Sequence, residues 1–232
     1  RLIALVRETR ALRPDPQIMV QQVRVGRDLL IRGAAFQVSF LSATAVAARF
    51  GVAAVGAHQI ALQLWFFTAL VLDAVAIAAQ SLVGAALGAG HAEAARDVAR
   101  RVTIAGGLAG VVFGVLVAAG SGVLPGLFTP DAEVRDQASV IWPWFIALMP
   151  FAGVTFALDG VLIGAGDVRF LRNITVLSAV GGFLPAIWLA YWFDLGLGGI
   201  WAGLLLLVVI RFAAVVWRWR SGRWAVLGAS RQ

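Results

Sequence analysis

The chain has 232 residues, 61% hydrophobic and 13% charged, with a net charge of +7 and a mean hydropathy of +0.89. A soluble domain of this size cannot bury so much apolar side chain. All 19 basic residues are arginine and there is no cysteine, so disulfides, thiolate catalysis and cysteine-based metal sites are excluded.

Residues 1–32 carry seven arginines and are broken by Pro14 and Pro16. Apolar residues at helical spacing from Ile18 to Leu30 predict an amphipathic helix on the cytoplasmic membrane surface that leads into the first span, within a cytoplasmic linker over 1–32. The first span is expected at about 33–50, with Gln37, Ser39, Ser42 and Thr44 inside it and Arg49 closing it. Gly51 and Gly56 mark a turn. The next run, about 57–88, exceeds one upright span and fits a tilted helix. It holds His58, Gln59, Gln63, Asp73 and Gln80. The third span, about 99–120, is rich in glycine, which allows close helix contact. An acidic loop at 124–136 leads to a fourth span at about 138–163, which carries Pro143, Pro150 and Asp159. A tight loop at 164–169 precedes a fifth span at about 173–193 with Pro185, and a sixth follows at about 197–217.

Runs of this length can cross about 30 Å of hydrocarbon, and backbone groups in lipid must be satisfied within the segment. The fold class expected is therefore all-α membrane protein, with a six-helix transmembrane lobe over 33–217 and a basic cytoplasmic tail over 218–232. A β-barrel would need alternating strands of about 10 residues instead. Sixteen arginines fall in the leading segment, the 88–101 loop, the 164–172 loop and the tail. The positive-inside rule then places both ends in the cytoplasm. Trp188, Tyr191 and Trp192 gather near an outer helix end, as aromatic belts do. The lipid bilayer is the expected partner, and the arginines are explained by topology rather than by nucleic acid.

Asp73 and Asp159 are the proton- or cation-coupling candidates, because a carboxylate inside an apolar span is costly and usually faces a polar pathway. Asp159 has a second reading, as a cap of the following turn or a partner of Arg169. Asp73 has one too, as a protonated group bonded to a neighbouring helix. Gln37, Gln63, Gln80 and Trp65 are substrate-cavity candidates, and the glutamines serve equally as interhelical glue. His58 reads as a cap or surface residue. Pro143 and Pro150 are hinge candidates, or static kinks. Two histidines are too few for a histidine-rich metal centre, and no metal site or cofactor is expected. There is no catalytic constellation such as GxSxG or a phosphate loop, so enzyme activity is not expected. An aspartyl pair of Asp73 and Asp159 is disfavoured because their depths look different.

Two stretches carry a family likeness: Gly56–Trp65 with the preceding turn Ala47–Gly51, and Leu158–Arg169. With the stretch Gly84–Arg101, they resemble the second half of multidrug and toxic compound extrusion (MATE) transporters, closest to the DinF-like branch. The resemblance implies one six-helix lobe of a twelve-helix transporter, with helices seven to twelve in this chain. It implies secondary active efflux of small organic, often cationic or amphipathic, compounds in exchange for H⁺ or Na⁺, across the bacterial cytoplasmic (inner) membrane. An amino-terminal lobe is the implied partner, and the start at Arg1 fits a linker between lobes. Two positions depart from the NorM-like branch, where Gln37 and Ala152 stand in the places of a Glu and an Asp. The alternative within the superfamily is a lipid-linked substrate flippase or exporter. It calls for clustered arginine or lysine in the spans, and none is evident in the sequence.

Overall fold

The computed structural model describes residues 16–226, and the first 15 residues of the expected linker and the last six of the tail lie outside them. Among the described residues, six helices are long and apolar enough to cross a membrane. In chain order the helices are α1 (Pro16–Ala47), α2 (Val52–Gly88), α3 (Ala92–Gly120), the short α4 (Leu124–Phe128), α5 (Ala132–Gly164), α6 (Val168–Ser178), α7 (Leu184–Trp192) and α8 (Gly196–Arg220). A 3₁₀ turn, Ala48–Phe50, closes α1, and a π turn, Ala179–Phe183, joins α6 to α7 as one span.

Local sequence explains most boundaries. Gly51 adopts φ +107°, a conformation that side chains disfavour, and lets the chain reverse between α1 and α2. Asp131 caps α5: its Oδ1 accepts from the amides of Glu133 at 2.9 Å and Val134 at 3.4 Å. Pro185 has no amide hydrogen to offer the preceding turn, and the helix widens into the π turn just before it. In contrast, α5 runs unbroken through Pro143 and Pro150.

The helix expected at 17–31 is continuous with the first span: α1 runs from Pro16 through Arg32 to Ala47. The basic tail is partly folded as well. α8 extends to Arg220, and Trp224 is buried against the bundle, its indole donating to the Trp219 carbonyl at 3.0 Å.

α5 is the central rod, packed against α2, α3 and α8. Its contact with α3 is antiparallel and made of small residues. A Cβ built on Gly153 would lie 2.1 Å from the Gly106 carbonyl oxygen, and one on Gly110 would lie 2.4 Å from that of Met149. The contact with α2 is parallel: Gly160 meets Ala76 and Gly164 meets Gln80, two backbones in direct touch. In lipid such van der Waals packing replaces the hydrophobic drive of water-soluble folds. Near the α5 start, Trp142, Phe145, Trp201 and His58 form a buried ring-to-ring chain. His58 is thus not a surface cap. It is 2% exposed, lies edge-on to Trp201 with ring centres 6.0 Å apart, and neither ring nitrogen has a hydrogen-bond partner among the described residues.

Candidate functional site: a buried charge cluster

The site is assembled by three helices. On α1, Asp28, Arg32 and Phe36 recur every four residues and so share one face. On α5, Asp159 precedes Gly160, the residue that lets α2 approach closely. On α8, Arg211 is the one charge within its apolar stretch, and it is 3% exposed.

The Nη2 groups of Arg32 and Arg211 both donate to Oδ2 of Asp159, which is itself 4% exposed. Both guanidiniums also lie over the Phe36 ring, with Cζ at 5.8 Å for Arg32 and 4.8 Å for Arg211. Three polar atoms of this group remain without a hydrogen-bond partner among the described residues: Asp159 Oδ1, Arg32 Nε and Arg211 Nε. Asp73 on α2 is exposed on the lobe and interacts electrostatically with Arg32 and Asp159. With both carboxylates ionised, the two arginines and two aspartates sum to zero charge. Buried ions cost several kcal/mol each unless paired, so each charge here depends on the others.

A second ionic layer lies closer to the Arg-rich end of the bundle. Arg172 on α6 donates to Asp28 at 2.7 Å, and Arg218 on α8 donates to Asp167 at 2.6 Å. These pairs tie α1 to α6 and α8 to the α5–α6 turn.

The MatE family model matches residues 29–188, which is more than half of the chain. The chain belongs to the MatE family. It is 34% identical over 225 residues to Protein DETOXIFICATION 44, chloroplastic, of Arabidopsis thaliana, covering 92% of this chain and 42% of that protein. To DNA damage-inducible protein F of Escherichia coli (strain K12) it is 28% identical, over 86% of this chain and 44% of the relative. Among solved structures it resembles the Vibrio cholerae MATE transporter VcmN in the bent form, with a TM-score of 0.80, 18% identity, and coverage of 88% of this chain and 47% of that one. The chain therefore spans less than half the length of these MatE proteins, the extent of one lobe. Other MatE relatives are named as multidrug and toxin extrusion or multidrug resistance proteins, which points away from an enzyme.

Within this MatE lobe the sequence candidates separate. Asp159 is buried in the cluster, paired with Arg32 and Arg211 rather than with Arg169. Asp73 is exposed next to it. Gln80 shares its face of α2, two helical turns away, and is exposed. Gln37 and Gln63 are exposed on α1 and α2. Trp65 is buried and packs edge-on against Phe156, with ring centres 6.2 Å apart.

Two expectations are corrected. Asp73 and Asp159 do not differ in depth: the parallel register of Ala76 with Gly160 leaves them about 3 Å apart along the helix axes. The spans also do hold an arginine pair. Arg32 lies on α1, the helix that carries the first candidate span, and it meets Arg211 at Asp159. Arg211 was visible in sequence as a lone charge in an apolar run. The role of Arg32 and Phe36 depends on which face α1 turns inward, which the sequence does not state.

Proposed function

We propose that this chain is one lobe of a secondary active efflux transporter that exports organic, often cationic or amphipathic, compounds in exchange for protons. The observation that carries the reading is an exposed carboxylate, Asp73, set against a buried Arg–Asp–Arg cluster with which it balances charge. Asp73 carries the exchangeable proton. When ionised, it neutralises the cluster and leaves the face attractive to a cationic substrate. When protonated, the cluster gains one positive charge and repels that substrate. Proton and cation thus compete for one charge balance, which is the electrostatic requirement of antiport.

H⁺ is favoured over Na⁺ because the buried carboxylate that would take a metal ion already faces two guanidiniums. The coupling needs a second lobe across the cavity, against which this one rocks in alternating access. Both ends of the chain lie on the cytoplasmic side of a bacterial inner membrane, as the arginine distribution argues.

The arginine pair favours one further reading, a flippase or exporter of lipid-linked anionic substrates. Both guanidiniums, however, already have a carboxylate partner in Asp159. An aspartyl hydrolase fits less well, since its carboxyls must share a proton and Asp159 is held by arginines instead.

The test is fluorescent-cation efflux from vesicles containing the whole transporter under an imposed pH gradient. Asp73→Asn is expected to abolish pH-driven efflux, and Asp159→Asn to reduce it strongly. Intact transport in both variants rejects the site. Transport of an anionic lipid-linked substrate, with no cation efflux, selects the flippase reading.

A further inference from the structure

A cavity separate from the charge cluster lies at one end of the bundle. It is open, measures about 630 Å³, and sits where α1 begins, α2 and α8 end, and α5 turns into α6. That volume falls within the roughly 300–1,000 Å³ range of ligand sites.

Its wall is built for an anion. Four arginines line it: Arg24, Arg169, Arg218 and Arg223. Two aspartates line it as well, but each is already engaged. Asp167 receives Arg218 at 2.6 Å, and Asp28 receives Arg172 at 2.7 Å and Arg27 at 3.0 Å. Arg24, Arg169 and Arg223 form no ion pair among the described residues. The N-terminal end of α6, at Val168 and Arg169, opens on the same space, so the helix dipole adds to the positive field. Glycines at 84, 88, 164 and 166 form part of the wall and leave backbone accessible. Gly166, at φ +73°, makes the turn that aims the α6 terminus there.

We propose that this cavity binds a phosphate-ester anion through Arg24, Arg169 and Arg223. A phospholipid headgroup is one source of that chemistry, since basic clusters at the ends of membrane spans attract anionic lipid. A soluble organic phosphate is the other.

The experiment titrates the purified full chain, in neutral detergent, with short-chain phosphatidylglycerol and separately with glycerol phosphate. Phosphatidylcholine of the same chain length is the neutral control, and fluorescence of the nearby tryptophans is the readout. In the variant Arg24→Gln/Arg169→Gln/Arg223→Gln, binding is expected to fall on the order of 100-fold, from roughly fivefold per arginine. The variant Arg96→Gln/Arg100→Gln/Arg101→Gln removes equal charge from the start of α3 and is expected to change binding by less than about tenfold, being a nonspecific surface contribution. Phosphatidylglycerol binding alone assigns a lipid site, and glycerol phosphate binding assigns a site for soluble phosphates too. If the cavity variant binds both anions like the unaltered chain, or the α3 variant loses as much, the proposal is overturned. Should the triple variant misfold, the single replacement Arg169→Gln carries the same test, with about a fivefold loss expected.

Discussion

α5 and α1 are nearly equal in length, at 33 and 32 residues, and both are apolar enough to span a membrane. Their attachment to the lobe is opposite in kind. In the most apolar stretch of α5, 61% of residues are buried, against 17% for α1. α5 is gripped by backbone: glycines at 153, 160 and 164 press directly on α3 and α2. α1 is tied in its charged half by ion pairs, Arg32 to Asp159 and Asp28 to Arg172. Backbone contact cannot be switched without unfolding, whereas an ion pair changes with one proton. The lobe thus combines a frame held by backbone contact at α5 with a helix, α1, held by charge.

The comparison can be broken most severely at α5. Gly153→Ala forces a methyl group to within 2.1 Å of the Gly106 carbonyl oxygen, with backbone on both sides and nothing soft to yield. A loss of about 3 kcal/mol or more is expected, at the upper end of overpacking costs, read as a collapse of the melting transition in detergent. A Gly153→Ala protein as stable as the parent means that α3 and α5 are not in backbone contact.

The next effect belongs to the charge cluster. Asp159→Ala leaves two arginines without their shared partner, and removal of one member of a buried pair costs about 3–5 kcal/mol. The double variant Asp159→Leu/Arg211→Met restores part of that loss, because an apolar replacement no longer strands Arg211. Melting temperatures of the single and double variants separate the two cases. Equal instability in both contradicts the pairing.

The smallest effect sharpens the contrast on α1 itself. A Cβ on Gly33 meets nothing within 4 Å. Gly33→Ala is expected to leave stability unchanged or raise it by up to about 1 kcal/mol, through helix propensity alone. A large loss there would place α1 in a contact tighter than the one described.

How much was legible follows from what each signal depends on. The six spans were readable because hydrocarbon thickness fixes their length and composition, and the glycine-rich run of α3 announced a close contact without naming α5 as its partner. The cost of Asp159 was visible as well. Its partners were not: Arg169, ten residues on, was the nearer choice in sequence, while Arg32 and Arg211 lie 127 and 52 residues away. Arg32 carries no sequence mark of its role, because arginines near a span end look alike whether they face lipid headgroups or a buried acid.

By itself, the sequence determined the number of membrane crossings, the family likeness and the presence of two costly carboxylates, since these depend on local composition and spacing. Only the tertiary structure decided that Asp73 and Asp159 share a level, that two distant arginines converge on one carboxylate oxygen, and that several arginines line a cavity at one end. Those facts rest on helix register and on which face each helix turns inward. Glycine contacts set the register of α5 against α2 and α3, ion pairs hold α1, and no single stretch of chain encodes either.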